Sequence, residues 1–254
     1  MKLLKSLTIF ALLLGVSGVA RAQNEVTLLA PGPMRRSMDK IAANYQMKTG
    51  TAIKITYGTG LSTRQSVAKG EQLDVSLILP PYWAALASGN VDRSTQTTVA
   101  GFIMAVAVPK GAPKPDISSP EAVKKSMLAA RSVGYVDPDF GSAGEGATEA
   151  LEKLNVNDQI ASKSLVPNGG GPVQQGLTKG DLAFGMLYLS DMQPNSEKFD
   201  IIGPLPAKLV APTPIVGFVS TKAKDPAAAK AFLQYLISPE AQAIFKADGY
   251  APHS

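Results

Sequence analysis

Hydrophobic and polar positions switch between two periods along the chain. Val26 to Ala30 is a short apolar run that predicts a strand. Met34, Met38, Ile41 and Tyr45 then recur at spacings of four, three and four, one face of a helix, which Gly50 closes. Ala52 to Tyr57 alternates as a strand, Leu61 to Lys69 reads as a helix ending at Gly70, and Asp74 to Leu79 reads as a strand. A proline-started helix follows around Tyr82 to Ala87. Phe102 to Val108 is continuously apolar and suits a buried strand. Ser119, Pro120 and Glu121 are start signals for a helix through Ala130. Strands are expected at Ser132–Val136, Ser164–Val166 and Leu182–Tyr188, and helices at Ala147–Leu154 and Val173–Thr178. Asp225 caps a helix over Pro226–Leu236, and Ser238-Pro239-Glu240 starts another.

Alternation on this scale predicts an α/β fold with largely parallel sheets. Two stretches read as crossings between lobes. One is Phe102 to Pro109 with the Pro-rich 111–115 behind it; the other is 204–216, which holds Pro204, Pro206, Pro212 and Pro214. The expected architecture is one lobe of residues 25–105 plus 208–254 and a second of 106–207. Two hinge strands join them around a cleft.

The first residues change the cellular setting. Lys2 and Lys5 precede the apolar run Leu7 to Val16, and Ala20-Arg21-Ala22 is a small-residue cleavage site. Residues 1–22 therefore read as a secretory signal peptide, too short in its apolar part to span a bilayer, which needs roughly 20 residues. The expected location is the periplasm. Three of the positive charges behind the formal +5 (Lys2, Lys5 and Arg21) lie in that leader, so the remainder is too weakly basic to suggest nucleic acid. The chain has no cysteine and one histidine, His253, next to the C-terminus. Disulfides, His-based triads and His-ligated zinc are not expected, and no metal or cofactor is implied.

In open α/β sheets, ligands lie beyond the carboxyl ends of strands. Four loops occupy such places. In Pro31-Gly32-Pro33-Met34-Arg35-Arg36, the first amides of a helix could hold an anion with Arg35 or Arg36 as a clamp; the alternative is a turn with solvated arginines. Gly58-Thr59-Gly60-Leu61-Ser62-Thr63 offers close backbone approach and three hydroxyls, or simply a helix cap. Asp137 to Gly146 is a small-residue loop entering a helix, in which Asp139 and Glu145 would repel an anion if they faced it, or accept hydrogen bonds from hydroxyl or ammonium groups of a ligand. Asn168-Gly169-Gly170-Gly171-Pro172 carries more glycine than a turn needs. Tyr188, ending a strand before Ser190 and Asp191, is either a donor to ligand or a core tyrosine.

Several segments together carry a resemblance: Val26-Thr27-Leu28-Leu29-Ala30 entering a helix, Val67 to Val75 through Lys69-Gly70, Val136-Asp137-Pro138 with Ala143-Gly144, Lys179 to Tyr188, and Phe232 to Gln242. The chain resembles periplasmic solute-binding proteins of ABC importers, in the molybdate-binding branch of the type II fold. The resemblance implies a monomeric two-lobed binding protein, not an enzyme, that presents its ligand to an inner-membrane permease. In that family two serine hydroxyls, backbone amides and a tyrosine hold the oxyanion. The tyrosine maps to Tyr188 and the amides to Ala143 and about Gly170. The serine places fall at Pro33, which has neither hydroxyl nor N–H, and near Gly60. Thr59 and Ser62 are the substitutes for the second, and Arg35 is the nearest for the first. The expected ligand-binding set is therefore Met34, Arg35, Thr59, Gly60, Ser62, Ala143, Gly170, Gly171 and Tyr188. A molybdate-like oxyanion is the implied ligand, a small carboxylate the rival, and a ligand-presenting sensor subunit the other role.

Overall fold

A computed structural model describes residues 25–71 and 73–253; the expected signal peptide lies outside them. The strands are β1 (Glu25–Pro31), β2 (Ala52–Gly58), β3 (Val75–Ile78), β4 (Val91–Phe102), β5 (Met104–Pro109), β6 (Val133–Gly134), β7 (Ser164–Leu165), β8 (Phe184–Tyr188), β9 (Phe199–Pro204), β10 (Thr213–Ser220) and β11 (Tyr250–Ala251). The helices are α1 (Arg35–Thr49), α2 (Gly60–Lys69), α3 (Trp83–Ala87), α4 (Pro120–Ala129), α5 (Ser142–Leu154), α6 (Asn157–Ile160), α7 (Gly170–Lys179), α8 (Leu189–Met192), α9 (Pro226–Leu236) and α10 (Pro239–Ala247).

Local chemistry sets many of these boundaries. Gly50 and Gly70 end α1 and α2 in the left-handed region at φ 75° and 76°. Ser119, Asp225 and Ser238 accept first-turn amides of α4, α9 and α10. The face of α1 that recurs at helical spacing is the face it buries: Met38 and Ile41 are fully covered. Tyr45 packs on Phe232 and Tyr235 of α9, with ring centroids 5.1 and 5.0 Å away. Burying each aliphatic side chain contributes about 1.5–3 kcal/mol.

The strands form two sheets, in the orders β11-β4-β10-β3-β1-β2 and β7-β6-β8-β5-β9. They are mixed, which corrects the expectation of largely parallel sheets. β1 runs parallel to β2 and β3, and β6 to β7 and β8. β10 runs antiparallel to β3 and β4, β11 to β4, and β5 to β8 and β9. The chain's two crossings explain the difference. Strands such as β1, β3 and β8 end at the seam between the sheets, whereas β5 and β10 begin there, having just crossed. They must run the opposite way.

The first crossing is a single residue. Ile103 separates β4 of the first sheet from β5 of the second, so the expected unbroken strand from Phe102 divides there. Met104 and Ala105 pair with β8 and thus sit in the second sheet, ahead of the expected division after 105. The second crossing is residues 205–212, between β9 and β10. The polar first half of β4, Asp92 to Thr98, shows no apolar run in the sequence, yet it pairs along β10.

Candidate functional site

The seam has an aromatic floor. Phe102, the last residue of β4, stacks on Tyr188, the last residue of β8, with centroids 4.4 Å apart and planes 11° apart. Tyr250 lies against Phe102 at 5.3 Å and 39°. Pairing places all three: Thr213 and Tyr250 are opposite Phe102, and Tyr188 is opposite Met104. Both crossings and both sheets therefore converge on these rings.

Tyr188 is fully buried, and its hydroxyl has no hydrogen-bond partner among the described residues. Burial pushes the phenol up to about 12; the nearby Ser142 and Thr213 hydroxyls relieve this in part without reaching hydrogen-bond geometry. A buried hydroxyl left unpaired costs about 1–3 kcal/mol.

Two helices begin beside it, one from each sheet's side. A Cβ built on Gly60 would lie 3.2 Å from Ser142 Cβ and 3.3 Å from its Oγ, so glycine eases the close approach of the start of α2 to the start of α5. One turn along, Arg64 Nη2 meets Glu145 Oε1 at 3.0 Å, a bridge across the cleft, and Arg64 also donates to the Pro80 carbonyl. Glu145 thus faces a cation from the opposite helix.

The donors at these starts differ in their freedom. Thr59 Oγ1 accepts from Ser62 N at 3.0 Å and caps α2, which leaves its own proton to give. Ser62 Oγ turns back onto the Thr59 carbonyl at 3.2 Å, and Thr63 Oγ1 onto that of Gly60 at 3.0 Å. At α5, Gly141 supplies no side-chain cap, and its carbonyl takes the amides of Gly144 at 2.8 Å and Glu145 at 3.3 Å. The Ser142 and Ala143 amides are then the orphan donors of the first turn. Helix dipoles add to their pull on a negative group. Among the described residues no group of three His, Cys, Asp or Glu could hold a metal ion, and no helix is long and apolar enough to cross a membrane.

The profile of the family described as bacterial extracellular solute-binding protein matches residues 26–251. The chain belongs to that family. Among similar proteins, an aconitate isomerase of a Pseudomonas species is 29% identical, over 98% of this chain and 97% of its own. The molybdate-binding protein ModA of Escherichia coli K12 is 24% identical over 94% of each. The substrate-binding domain of a putative molybdenum ABC transporter from Clostridium difficile has a similar structure, with a TM-score of 0.78 at 20% identity, covering 90% of this chain and 98% of that one. The fold is accordingly the two-lobed one of periplasmic binding proteins.

In this solute-binding protein the remaining expected site residues fall in different places. Met34 is fully buried at the end of the turn before α1, so its side chain belongs to the core. The carbonyl of Pro33 accepts from Tyr250 Oη at 3.0 Å, tying that loop to the aromatic floor. Arg35 is exposed, with its guanidinium 4.1 Å above the Tyr57 ring, whose hydroxyl donates to Asp39 at 2.6 Å. It is engaged at the edge strand β2. A Cβ on Gly170 would touch Leu187 at 3.3 Å, one residue from Tyr188, whereas Gly171 is exposed and lines an open groove with Gln174 and Lys179.

Ser142, Thr213, Tyr250 and Arg64 were not singled out from the sequence. Ser142 had a readable signal, since it directly precedes Ala143. It was hidden because Gly144 and Gly146 read as loop, which set the expected helix start at Ala147, five residues late. Packing requires glycine at 144 and is tight at 146. A Cβ on Gly144 would lie 2.5 Å from the Val136 carbonyl oxygen, and one on Gly146 3.1 Å from Met104 Cγ.

Proposed function

We propose that this protein is the periplasmic substrate-binding component of an ABC importer. It captures a small anion between lobes that hinge at Ile103 and 205–212, and an inner-membrane permease reads the closed form. The observation that carries the reading is the buried Tyr188 hydroxyl, without a hydrogen-bond partner among the described residues, beside the first-turn Ser142 and Ala143 amides of a helix that has no side-chain cap. Thr59 completes a donor set suited to oxygen atoms bearing negative charge. The lobes close because the ligand bridges them, and the Arg64–Glu145 pair adds to that preference. The protein acts as a monomer and uses no cofactor.

The names of the two relatives bracket the ligand between molybdate and aconitate, a tricarboxylate. A small organic carboxylate is the better match. Pro33 offers an acceptor and no donor, which removes one grip on a spherical oxide. Arg35, held on Tyr57, takes no part in this reading. The test is a thermal-shift screen against molybdate, tungstate, sulfate and di- and tricarboxylates. Ligand at 100 times Kd stabilises by about 2.7 kcal/mol. A carboxylate should raise the midpoint most; a panel in which no anion raises it overturns the reading.

A second reading is isomerisation of the bound carboxylate. Asp191 favours it, because burial lifts its carboxyl to about 7 and it lies near enough to Tyr188 and Tyr250 to raise both phenols. A group poised near neutrality suits general acid–base work. Proton NMR of cis-aconitate incubated with the protein separates the two, since a binding protein leaves the spectrum unchanged.

A further inference from the structure

Two seam hydroxyls make no hydrogen bond to the described residues: Tyr188 Oη, used above, and Ser190 Oγ. Ser190 is 8% exposed, and its oxygen is sealed from solvent. The segment that carries it is pinned to the first crossing, because Leu189 N donates to the Ile103 carbonyl at 2.8 Å. The first lobe lies opposite. A Cβ on Gly249 would come 3.3 Å from Ser190 N. Burial pushes the Tyr250 phenol up, and the Ser190 hydroxyl beside it works against that shift. Tyr250 Oη in turn donates to Pro33, in the loop that opens from β1 into the cleft.

The two free hydroxyls have different neighbours. Ser142 and Thr213 are near enough to that of Tyr188 to lower its phenol, and Ser190 is near enough to Tyr250, itself bonded to Pro33, to do the same there; Asp191 acts on both phenols. They mark two points along the seam. We propose that Ser190 is a ligand-binding residue: its hydroxyl donates to the far carboxyl of a dicarboxylate whose near carboxylate sits at Tyr188 and the start of α5, and Tyr250, its own proton held by Pro33, is a wall of that second subsite. The inference rests on the anion-capture reading and names its substrate class. Nearby negative charge is subdued. Asp248 accepts from Ser37 at 2.7 Å and pairs with Lys40 at 3.3 Å and Arg36 at 3.4 Å. Asp191, with its carboxyl lifted to about 7, carries less than a full charge near neutrality.

The experiment is calorimetric titration of the purified protein and its Ser190→Ala, Ser190→Thr and Tyr188→Phe variants. Succinate and citrate serve as two-ended probes, acetate and molybdate as single-ended ones. Ser190→Ala should weaken the two-ended probes by about tenfold or more and leave the single-ended ones within about twofold, and Ser190→Thr should retain wild-type binding. Equal loss for all four probes, or loss for none, overturns the second subsite. Tyr188→Phe should weaken every probe; if it weakens none, the anion-capture reading itself fails. A wild-type protein that binds none of the four overturns both.

Discussion

Removing the Tyr188 hydroxyl should act in opposite directions on the free and the liganded protein. Tyr188→Phe keeps the ring and its 4.4 Å stack on Phe102, and deletes one buried oxygen that has no partner among the described residues. In the free protein that oxygen carries a desolvation cost of about 1–3 kcal/mol, so its loss should stabilise by about 1 kcal/mol. For a chain of this size that is about 2–4 °C in Tm. On the proposed function the same oxygen would donate to a charged ligand in the complex, a bond worth about 1.5–3 kcal/mol. Affinity should then fall roughly 10- to 150-fold, at 1.4 kcal/mol per tenfold. Thermal unfolding without ligand reads the first effect, and calorimetric titration reads the second. A drop in the Tm of the free variant, or an unchanged Kd, would refute the assignment of this hydroxyl to ligand.

Three further outcomes follow from the geometry. Arg64→Ala removes the bridge to Glu145; with side-chain exposures of 13% and 45%, the pair is largely solvent-screened. Its loss should cost about 0.2–1 kcal/mol of closure, so ligand affinity should fall by up to about fivefold, and less at high salt; a wild-type Kd at low salt argues against the bridge. Gly144→Ala drives a Cβ to within 2.5–2.6 Å of backbone at Val136, Asp137 and Pro138. It should cost about 1–3 kcal/mol and weaken ligand binding by displacing the α5 amides, and an unaltered midpoint of thermal unfolding would count against that packing. Burial lifts Asp191 from 3.8 to about 7, so the folded protein keeps a proton that the unfolded chain releases near pH 4. Its contribution to stability is complete below pH 4 and declines as pH rises through about 7. Asp191→Asn should flatten that part of the curve in unfolding measured from pH 4 to 8, and an identical slope for the variant would remove the effect.

Part of the candidate site was legible in the chain. The cap at Thr59, the amide at Ala143 and the strand-end position of Tyr188 all follow from signals within a few residues. Arg35 shows the limit of such reading. Its position before a helix suggested an anion clamp, but the next strand over presents Tyr57, and a guanidinium above a ring is a competing partner that only β1–β2 register reveals. The sequence leaves Glu145 open between a charge that repels an anion and an acceptor for ligand donors; the structure pairs it instead with Arg64, 81 positions away in sequence.

By itself the sequence determined the alternation of elements, their caps at Gly50, Gly70, Ser119, Asp225 and Ser238, and the seam-end placement of Tyr188. These depend on neighbours within one helical turn or one strand. Tertiary structure alone decided that the sheets are mixed, that Ile103 is the point of crossing, that the starts of α2 and α5 lie side by side at Gly60 and Ser142, and that the hydroxyls of Tyr188 and Ser190 have no partner among the described residues. Each of those depends on which distant backbone arrives alongside, and a strand that has just crossed between lobes carries no local mark of the direction in which it will pair.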